Sequence, residues 1–466
     1  MFKAFAATGL LFFCCFMLYG QTEEKRYVIG TIDVHGNNTT QLYIIEKEVT
    51  FKSGDTLTLN DLNRRINQSK QNLLNTSLFN FVEITIETKE STINVLIDVK
   101  ERWYLWPQPI ALVEDRNFFD WWQYRTLDRL SYGLYLNQYN LWGRRESLQL
   151  KLKFGYSQEI GMTYKIPYLI KTKNHGLNIS FLAIRRHELY YKSVNDKIIY
   201  MKDHDKIMRT EFNAYLEYVF RKKLYQQHSL RLDFDDVAVQ DTIVSEAENP
   251  YYLIDGKNKA AYLSLRYYYK KDRRDSKNYP LTGYDYDIEI RKTGFNFSPG
   301  HINTASIIIN AEKFWKFRER FYYAAGLRGR IFTTPSAPFY IAKGLGFSPD
   351  YVVRGYEPYL ISGTDFLILK TNLKYQLIKP HIIKIPYLTL EKFNTFHYEL
   401  YINALFDMGY IKDNTYTATN SLGNTLLLGY GLGLDFVTYY DKVLRVEYSV
   451  NKKGLSGIYV SFIAPI

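Results

Sequence analysis

Two periods divide the chain. Up to about residue 102 the apolar positions change spacing several times; after residue 130 they fall on every second position almost to the end. In the first stretch Tyr27 to His35 alternates as a strand does and stops at Gly36-Asn37. Leu42, Ile44, Ile45 and Val49 then follow Thr39 and Thr40 at the spacing of one helix face. Phe51-Lys52-Ser53-Gly54-Asp55 reads as a turn. Leu62, Ile66, Leu73 and Leu74 mark a second helix, with Asn60 or Asp61 as its cap. Phe81 to Thr88 and Thr92 to Val99 alternate again. The expected order is strand, helix, helix, strand, strand: a small α+β domain over residues 21–102.

The second stretch keeps period two. Leu148, Leu150, Leu152 and Phe154 alternate with Gln149, Lys151 and Lys153. Leu230, Leu232 and Phe234 oppose Arg231, Asp233 and Asp235, and Leu444, Val446, Tyr448 and Val450 oppose Arg445, Glu447, Ser449 and Asn451. One face apolar and the other charged suits a wall with lipid outside and water inside. A soluble sandwich would have to bury those charges. A water-exposed sheet would need a covering layer, and no helical run supplies one. At roughly 20 residues per strand and connection, residues 130–466 accommodate about 16 membrane strands, with roughly 14 or 18 as the neighbouring even counts. Lys192–Asp205, Val237–Lys259 and Lys412–Asn424 are polar and turn-rich, so they are expected as longer outer loops. Between the two regions, residues 103–129 hold Trp103, Trp106, Pro107, Pro109, Trp121 and Trp122. They are expected to form a linker at the membrane edge, where indoles concentrate.

Composition sharpens this. The chain has 43 Tyr and 29 Phe, yet its mean hydropathy is only −0.29. A strand-built wall needs just one apolar face, so both facts fit it. Net charge is +12. Residues 23–101 are slightly acidic, which leaves the basicity to the barrel region. Lys3 followed by the apolar run Ala4–Tyr19 and Gly20 predicts a secretory signal over residues 1–20, too short to span as a helix. Both cysteines, Cys14 and Cys15, fall inside it, so the mature chain is expected to lack disulfides, thiol catalysis and thiolate metal sites. A secreted chain that enters lipid without helices must close its strands into a barrel.

Enzyme chemistry finds no footing. The eight histidines are scattered, and neither a Gly-x-Ser-x-Gly elbow nor a phosphate loop occurs. Catalytic residues, metal and cofactor are therefore expected to be none. Asp285 and Asp287 sit at strand spacing and read as part of a wet wall. The basicity points to phosphorylated lipids or acidic client segments rather than nucleic acid.

Val34-His35-Gly36-Asn37 and the run Leu74 to Val82 make the first domain resemble a POTRA domain, the periplasmic module of outer-membrane assembly proteins. Further motifs follow in order. Asn140-Leu141-Trp142-Gly143 resembles the turn after the family's first barrel strand. Asp272-Arg273-Arg274-Asp275 with Tyr279-Pro280-Leu281-Thr282-Gly283, then Val353-Arg354-Gly355-Tyr356, then Phe406-Asp407-Met408-Gly409 resemble later family motifs. Together they make the chain resemble the superfamily of BamA, TamA and FhaC. The resemblance implies a mainly β fold: a transmembrane antiparallel barrel of about 16 strands preceded by one periplasmic POTRA domain, in a bacterial outer membrane.

It also implies a site. The loop carrying Arg354, Gly355 and Tyr356 folds into the lumen, where Arg354 meets Asp407. Strand parity agrees: Leu400, Ile402, Ala404 and Phe406 share one face, which leaves Asp407 on the other. A second acidic partner seen in the family has no counterpart in Asn372-Leu373-Lys374-Tyr375. Phe462 stands near the C-terminus, where such barrels commonly end in an aromatic, and Pro465 lacks the N–H for pairing. The implied function is insertion or export of client proteins. The implied partners are unfolded outer-membrane or secreted clients, outer-membrane lipids, and periplasmic or lipoprotein accessory subunits. A passive porin and a lipid-handling barrel remain as alternatives.

Overall fold

The computed structural model describes residues 25–113, 130–170, 174–203, 205–254, 256–295, 302–333, 337–384, 395–415, 417–438 and 442–463. The expected signal and the Trp121-Trp122 half of the expected linker lie outside them. Among the described residues, no helix is long and apolar enough to cross a membrane, which says nothing of a strand-built wall.

The N-terminal domain is a four-stranded sheet in the order β2-β1-β4-β3. Its strands are β1 (Arg26–His35), β2 (Thr56–Thr58), β3 (Phe79–Lys89) and β4 (Thr92–Glu101). β1 and β4 run parallel, while β3 and β4 form a hairpin. Two helices, α1 (Leu42–Glu46) and α2 (Leu59–Leu74), connect β1 to β3. Ile44, Ile45, Leu62 and Leu73 of the helices meet Ile29, Phe79, Ile93 and Ile97 of the sheet, all essentially buried. Each such side chain contributes about 2 kcal/mol by leaving water. The cap of α2 differs from expectation: Thr58 accepts from the Asp61 N–H at 3.2 Å, and Asp61 sits in the first turn. Asn60 and Asp61 are already helical, so the hydroxyl just ahead of them takes the cap.

Sixteen described strands form one antiparallel sheet. They are β5 (Leu105–Val113), β6 (Leu130–Leu141), β7 (Glu146–Gly155), β8 (Ser157–Ile166) and β9 (His175–Arg186), then, after a separate hairpin of β10 (Glu188–Val194) and β11 (Lys197–Lys202), β12 (Arg209–Lys223) and β13 (Gln226–Val239). There follow β14 (Lys259–Asp272), β15 (Gly283–Thr293), β16 (Thr304–Arg318), β17 (Phe321–Phe332), β18 (Asp365–Lys384), β19 (Thr395–Lys412), β20 (Leu427–Thr438), β21 (Lys442–Asn451) and β22 (Ser456–Ile463). Parity sorts the faces as the sequence indicated. Leu216, Leu230, Leu232 and Ile288 are exposed on the outside, while Asp233, Asp285, Asp407 and Asp435 are buried on the inside.

Two expectations need correction. Residues 103–129 are not all linker, because Leu105–Val113 pairs with Leu130–Gln138 as the first barrel strand. The prolines at 107 and 109 obscured it, since proline in a run normally argues against a paired strand. Likewise Lys192–Asp205 is largely the β10–β11 hairpin, turned by Asn195 and Asp196 at positive φ.

That hairpin joins a roof over the barrel mouth farthest from the N-terminal domain. Leu189, Tyr191, Tyr252, Leu253, Phe339 and Leu360 share one apolar cluster there. Asp196 ties the roof to the β19–β20 loop, accepting from the Ser421 and Leu422 N–H groups at 3.1 and 3.0 Å.

Candidate functional site

The loop between β17 and β18 turns back into the lumen, and its tip is Val353-Arg354-Gly355-Tyr356. Arg354 lies against Asp407 on β19, whose side chain is fully buried. Its Nε donates to Oδ2 at 2.9 Å, its backbone N–H donates to the same oxygen at 3.1 Å, and Nη2 donates to Oδ1. This two-pronged contact fixes direction as well as distance. The remaining guanidinium nitrogen, Nη1, donates to Asn372 Oδ1 at 2.7 Å and lies 3.7 Å from Glu447. The segment that lacks an acid thus still contacts the arginine through a neutral amide, and a second carboxylate arrives from β21.

Gly355 adopts φ +84°, and a Cβ there would come within 2.9 Å of the Val450 and Asn451 backbone. Its carbonyl accepts from Asn451 Nδ2 at 2.9 Å. Tyr356 is buried with Val353, Ile361, Phe366, Ile411 and Leu427. The wall itself makes room for the loop. A Cβ on Gly429 would lie 1.8 Å from the Arg354 carbonyl oxygen, and one on Gly409 would lie 2.4 Å from Val353. Gly409 belongs to the Phe406–Gly409 motif, so that motif supplies both the carboxylate and the clearance. Gly429 carried no sequence signal, Asn451 and Glu447 showed only polar-face parity, and Asn372 showed only as the place of a missing acid; the register brings them to the loop.

The Asp272–Gly283 motif builds a second network. Arg274 donates to both oxygens of Asp272, at 2.9 and 2.8 Å, and lies 3.2 Å from Asp285. The Tyr279 hydroxyl donates to Asp435 at 2.8 Å, and Arg445 grips the same carboxylate at 2.7 and 2.9 Å. Lys374 stands 3.9 Å over the Tyr279 ring. The β14–β15 turn, in the middle of the sheet, is thereby tied to β18, β20 and β21.

The remaining motif, Asn140-Leu141-Trp142-Gly143, is the turn after the second barrel strand, because β5 precedes it. It docks the N-terminal domain. Asn140 donates to Thr40 Oγ1 at 2.9 Å, and the Gly143 carbonyl accepts from Gln41 at 2.9 Å. A Cβ on Gly143 would fall 1.9 Å from the Thr39 oxygen. Glu101 completes the joint by accepting from the Thr40 N–H at 2.7 Å. Beside it, Glu48 at the end of the first helical segment meets Arg221, Arg145 and Tyr168 from three different barrel turns. Burial pushes the Glu48 carboxyl up, but Arg221, Arg145 and Lys277 more than reverse this and hold it below the usual carboxylate range. Above this contact lies a cavity of about 410 Å³ lined by Glu48, Asn72, Arg145, Arg221, Arg274 and Lys277 among others. Its charged lining is mainly basic, with Glu48 and Asp272 as the acids.

Fold and joint together define a class: one α+β domain bonded to the turns of a 16-stranded barrel that carries an arginine loop in its lumen. Residues 27–102 match the sequence model of the POTRA family, described as a surface antigen variable number repeat. No curated protein sequence matches the chain. Among solved structures, the chain resembles BamA from Haemophilus ducreyi lacking POTRA domains 1–3. The identity is 14%, with 94% of this chain and 84% of that one covered, at a TM-score of 0.51. It also resembles CdiB from Escherichia coli, at 11% identity, 94% and 76% coverage and a TM-score of 0.54. The chain therefore shares its fold with BamA and CdiB, and residues 27–102 form a POTRA domain.

Proposed function

We propose that this protein resides in a bacterial outer membrane, with its POTRA domain in the periplasm, and inserts or exports client proteins. The observation that carries the reading is the way the sheet ends. Among the described residues, no pairing joins β22 to β5, the strand into which the POTRA domain runs, and this supports a wall that can open there. An unpaired strand edge is costly in lipid and offers an extended client backbone the bonds it needs. The Arg354–Asp407 contact serves as a latch that holds the lumenal loop against the half of the sheet ending in β22. Acidic client segments or phosphorylated lipids suit the basic cavity above Glu48.

A porin reading gains nothing from the roofed mouth and the loop within the lumen. The test is reconstitution in liposomes with a urea-unfolded outer-membrane barrel as client. Folding of that client faster than in empty liposomes supports the proposal. Equal rates, together with a large steady conductance in planar bilayers that survives removal of the POTRA domain, overturn it. In cells, deletion of the gene should deplete a subset of outer-membrane or secreted proteins, and an unchanged proteome and secretome would count against the role.

A further inference from the structure

The cavity at the joint between the domains holds more positive charge than its own acids neutralise. Arg145, Lys165, Arg221, Lys270, Arg274 and Lys277 line it, against Glu48 and Asp272. Both acids are committed. Glu48 is shared by Arg221 and Arg145, and Asp272 takes two prongs of Arg274. Asp285, from outside the lining, adds one carboxylate that meets Lys270 at 2.7 Å and Arg274 at 3.2 Å. Three cations keep donors to spare. Among the described residues, Lys165 and Lys277 have no acid within ion-pair distance. Arg145 commits only Nη1 of its guanidinium, to Glu48 at 3.0 Å.

Lys277 shows the consequence. It stands in the β14–β15 turn and keeps accessible surface while lining the cavity. Burial pushes its ammonium down to about 8, Arg145 and Arg221 push the same way, and Asp272 and Glu48 oppose them only in part. A charge held in such surroundings without its own counter-charge is costly, and an anion that enters the cavity removes that cost. The walls come from both domains. The Lys277 N–H donates to Asn75 Oδ1 at 3.2 Å, and the Tyr225 hydroxyl donates to Asn72 Oδ1 at 3.1 Å. Whatever binds between them touches the end of α2 and the barrel turns together.

We propose that this cavity binds a phosphate monoester from solution and that the bound anion holds the POTRA domain against the barrel. The Arg145 fork suits phosphate oxygens, and Lys165 and Lys277 add compact charges. A monoester brings about two negative charges at neutral pH, which answers three spare cations better than one carboxylate does. A volume of about 410 Å³ suits a small molecule and not a folded client. The lining faces the lumen: Lys270 bonds to buried Asp285, while Tyr267 on the same strand is exposed on the outer face. A dissolved monoester therefore reaches it more readily than a headgroup held in the bilayer. The proposal rests on the anion reading of the cavity given above and not on client insertion.

The experiment titrates the full chain in detergent with glycerol 3-phosphate near pH 8, by calorimetry in two buffers of different ionisation enthalpy. Binding should saturate and should take up protons, because the phosphate returns Lys277 from partly neutral to charged. Lys277→Met should weaken binding about tenfold, the scale of one charge-assisted hydrogen bond, and abolish the proton uptake. Lys277→Arg should still bind, now without uptake, since a guanidinium stays charged throughout. Lys313→Gln, outside the cavity, should bind as the parent does. Hydrogen exchange at residues 72–75 and 275–277 should slow on adding glycerol 3-phosphate in the parent and not in Lys277→Met. Heat-modifiable migration on gels confirms that each variant is folded. If Lys277→Met is not, Lys165→Gln stands in, and it should weaken binding while keeping the uptake.

No saturable binding, or equal binding in the parent and Lys277→Met, overturns the proposal. An Asp- and Glu-rich peptide that binds where glycerol 3-phosphate does not would give the cavity to an acidic client segment. The anion reading would then stand and the phosphate assignment would fall. Slowed exchange that appears only in nanodiscs containing phosphatidylglycerol, with no response to glycerol 3-phosphate, would assign the site to a bilayer headgroup and overturn a source in solution. Phosphate binding with unchanged exchange at the joint would overturn the part in docking. A chain that binds the monoester as expected but accelerates no client folding supports this site and removes only the insertion reading.

Discussion

Glu48 of the POTRA domain is held by Arg221 of the barrel through both oxygens, with Nη1 to Oε1 at 2.6 Å and Nη2 to Oε2 at 3.1 Å. The carboxylate is almost completely buried, whereas Arg221 keeps further bonds to the Leu224 carbonyl and the Tyr168 hydroxyl. The POTRA domain is thus bonded to the barrel at a charged contact, in addition to being tethered through β5.

Glu48→Gln should loosen that contact while both domains stay folded. The loss is about 2 kcal/mol, the scale for leaving a buried hydrogen-bonding group without its charged partner. Hydrogen exchange should rise in residues 39–48 and in the 221–226 turn, with the lumenal loop unchanged. Equal exchange in the parent and Glu48→Gln would show that the contact does not hold the domain.

The same carboxylate makes docking sensitive to acid. Its value is depressed in the folded state, so its contribution is fully present above the ordinary carboxylate range and is lost as pH falls through the depressed value. Proteolytic access to the joint should therefore stay flat from neutral pH down to the ordinary carboxylate range, rise as pH falls from there through the depressed value, and lose that step in Glu48→Gln.

Wall glycines supply a test that leaves every charge in place. Gly429→Ala puts a methyl where the Arg354 carbonyl oxygen now sits, against backbone that has little room to move. It should cost about 2 kcal/mol by overpacking and displace the loop tip. Gly326→Ala meets only the Glu312 side chain, at 3.4 Å, and should be silent. Melting by near-ultraviolet circular dichroism separates the two, and equal melting would mean that the loop tip is not held tightly against β20.

The sequence carried the POTRA order, except for the three-residue strand β2 between the helices, and the lumenal parity of Asp407, because both rest on local periodicity, 3.6 or two residues, which burial enforces. It was misleading at Leu105–Val113, where prolines suit a strand only because one edge is unpartnered. It was silent on Glu48 and Arg221, gave Glu447 only its polar-face parity, and marked Asn372 only as the place of a missing acid. Those residues meet over separations from 18 to 173 positions, or only through three-dimensional closure, and single charged residues on a wet face look alike until the register is known. Gly409 lies between these cases. Its motif was visible, but the need for a glycine appears only once Val353 is packed against it.

The latch gives the most demanding prediction. Arg354→Ala leaves Asp407 fully buried without its cation, a change that costs about 3 kcal/mol. The barrel should remain folded and heat-modifiable, because its ladders do not depend on the loop, but client folding should be lost. Arg354→Lys should restore little. An ammonium cannot present the fork that meets both Asp407 oxygens while also donating to Asn372. Asp407→Asn keeps the shape and removes the charge, so it should fall between the parent and Arg354→Ala. The exchange Arg354→Asp with Asp407→Arg should recover part of the activity that each single reversal loses. The two side chains would still face each other, although Asn372 and Glu447 remain arranged for a cation on the loop. If Asp407→Ala proves silent while Arg354→Ala does not, the arginine works through Asn372 and Glu447, and the assignment of Asp407 as its functional partner fails.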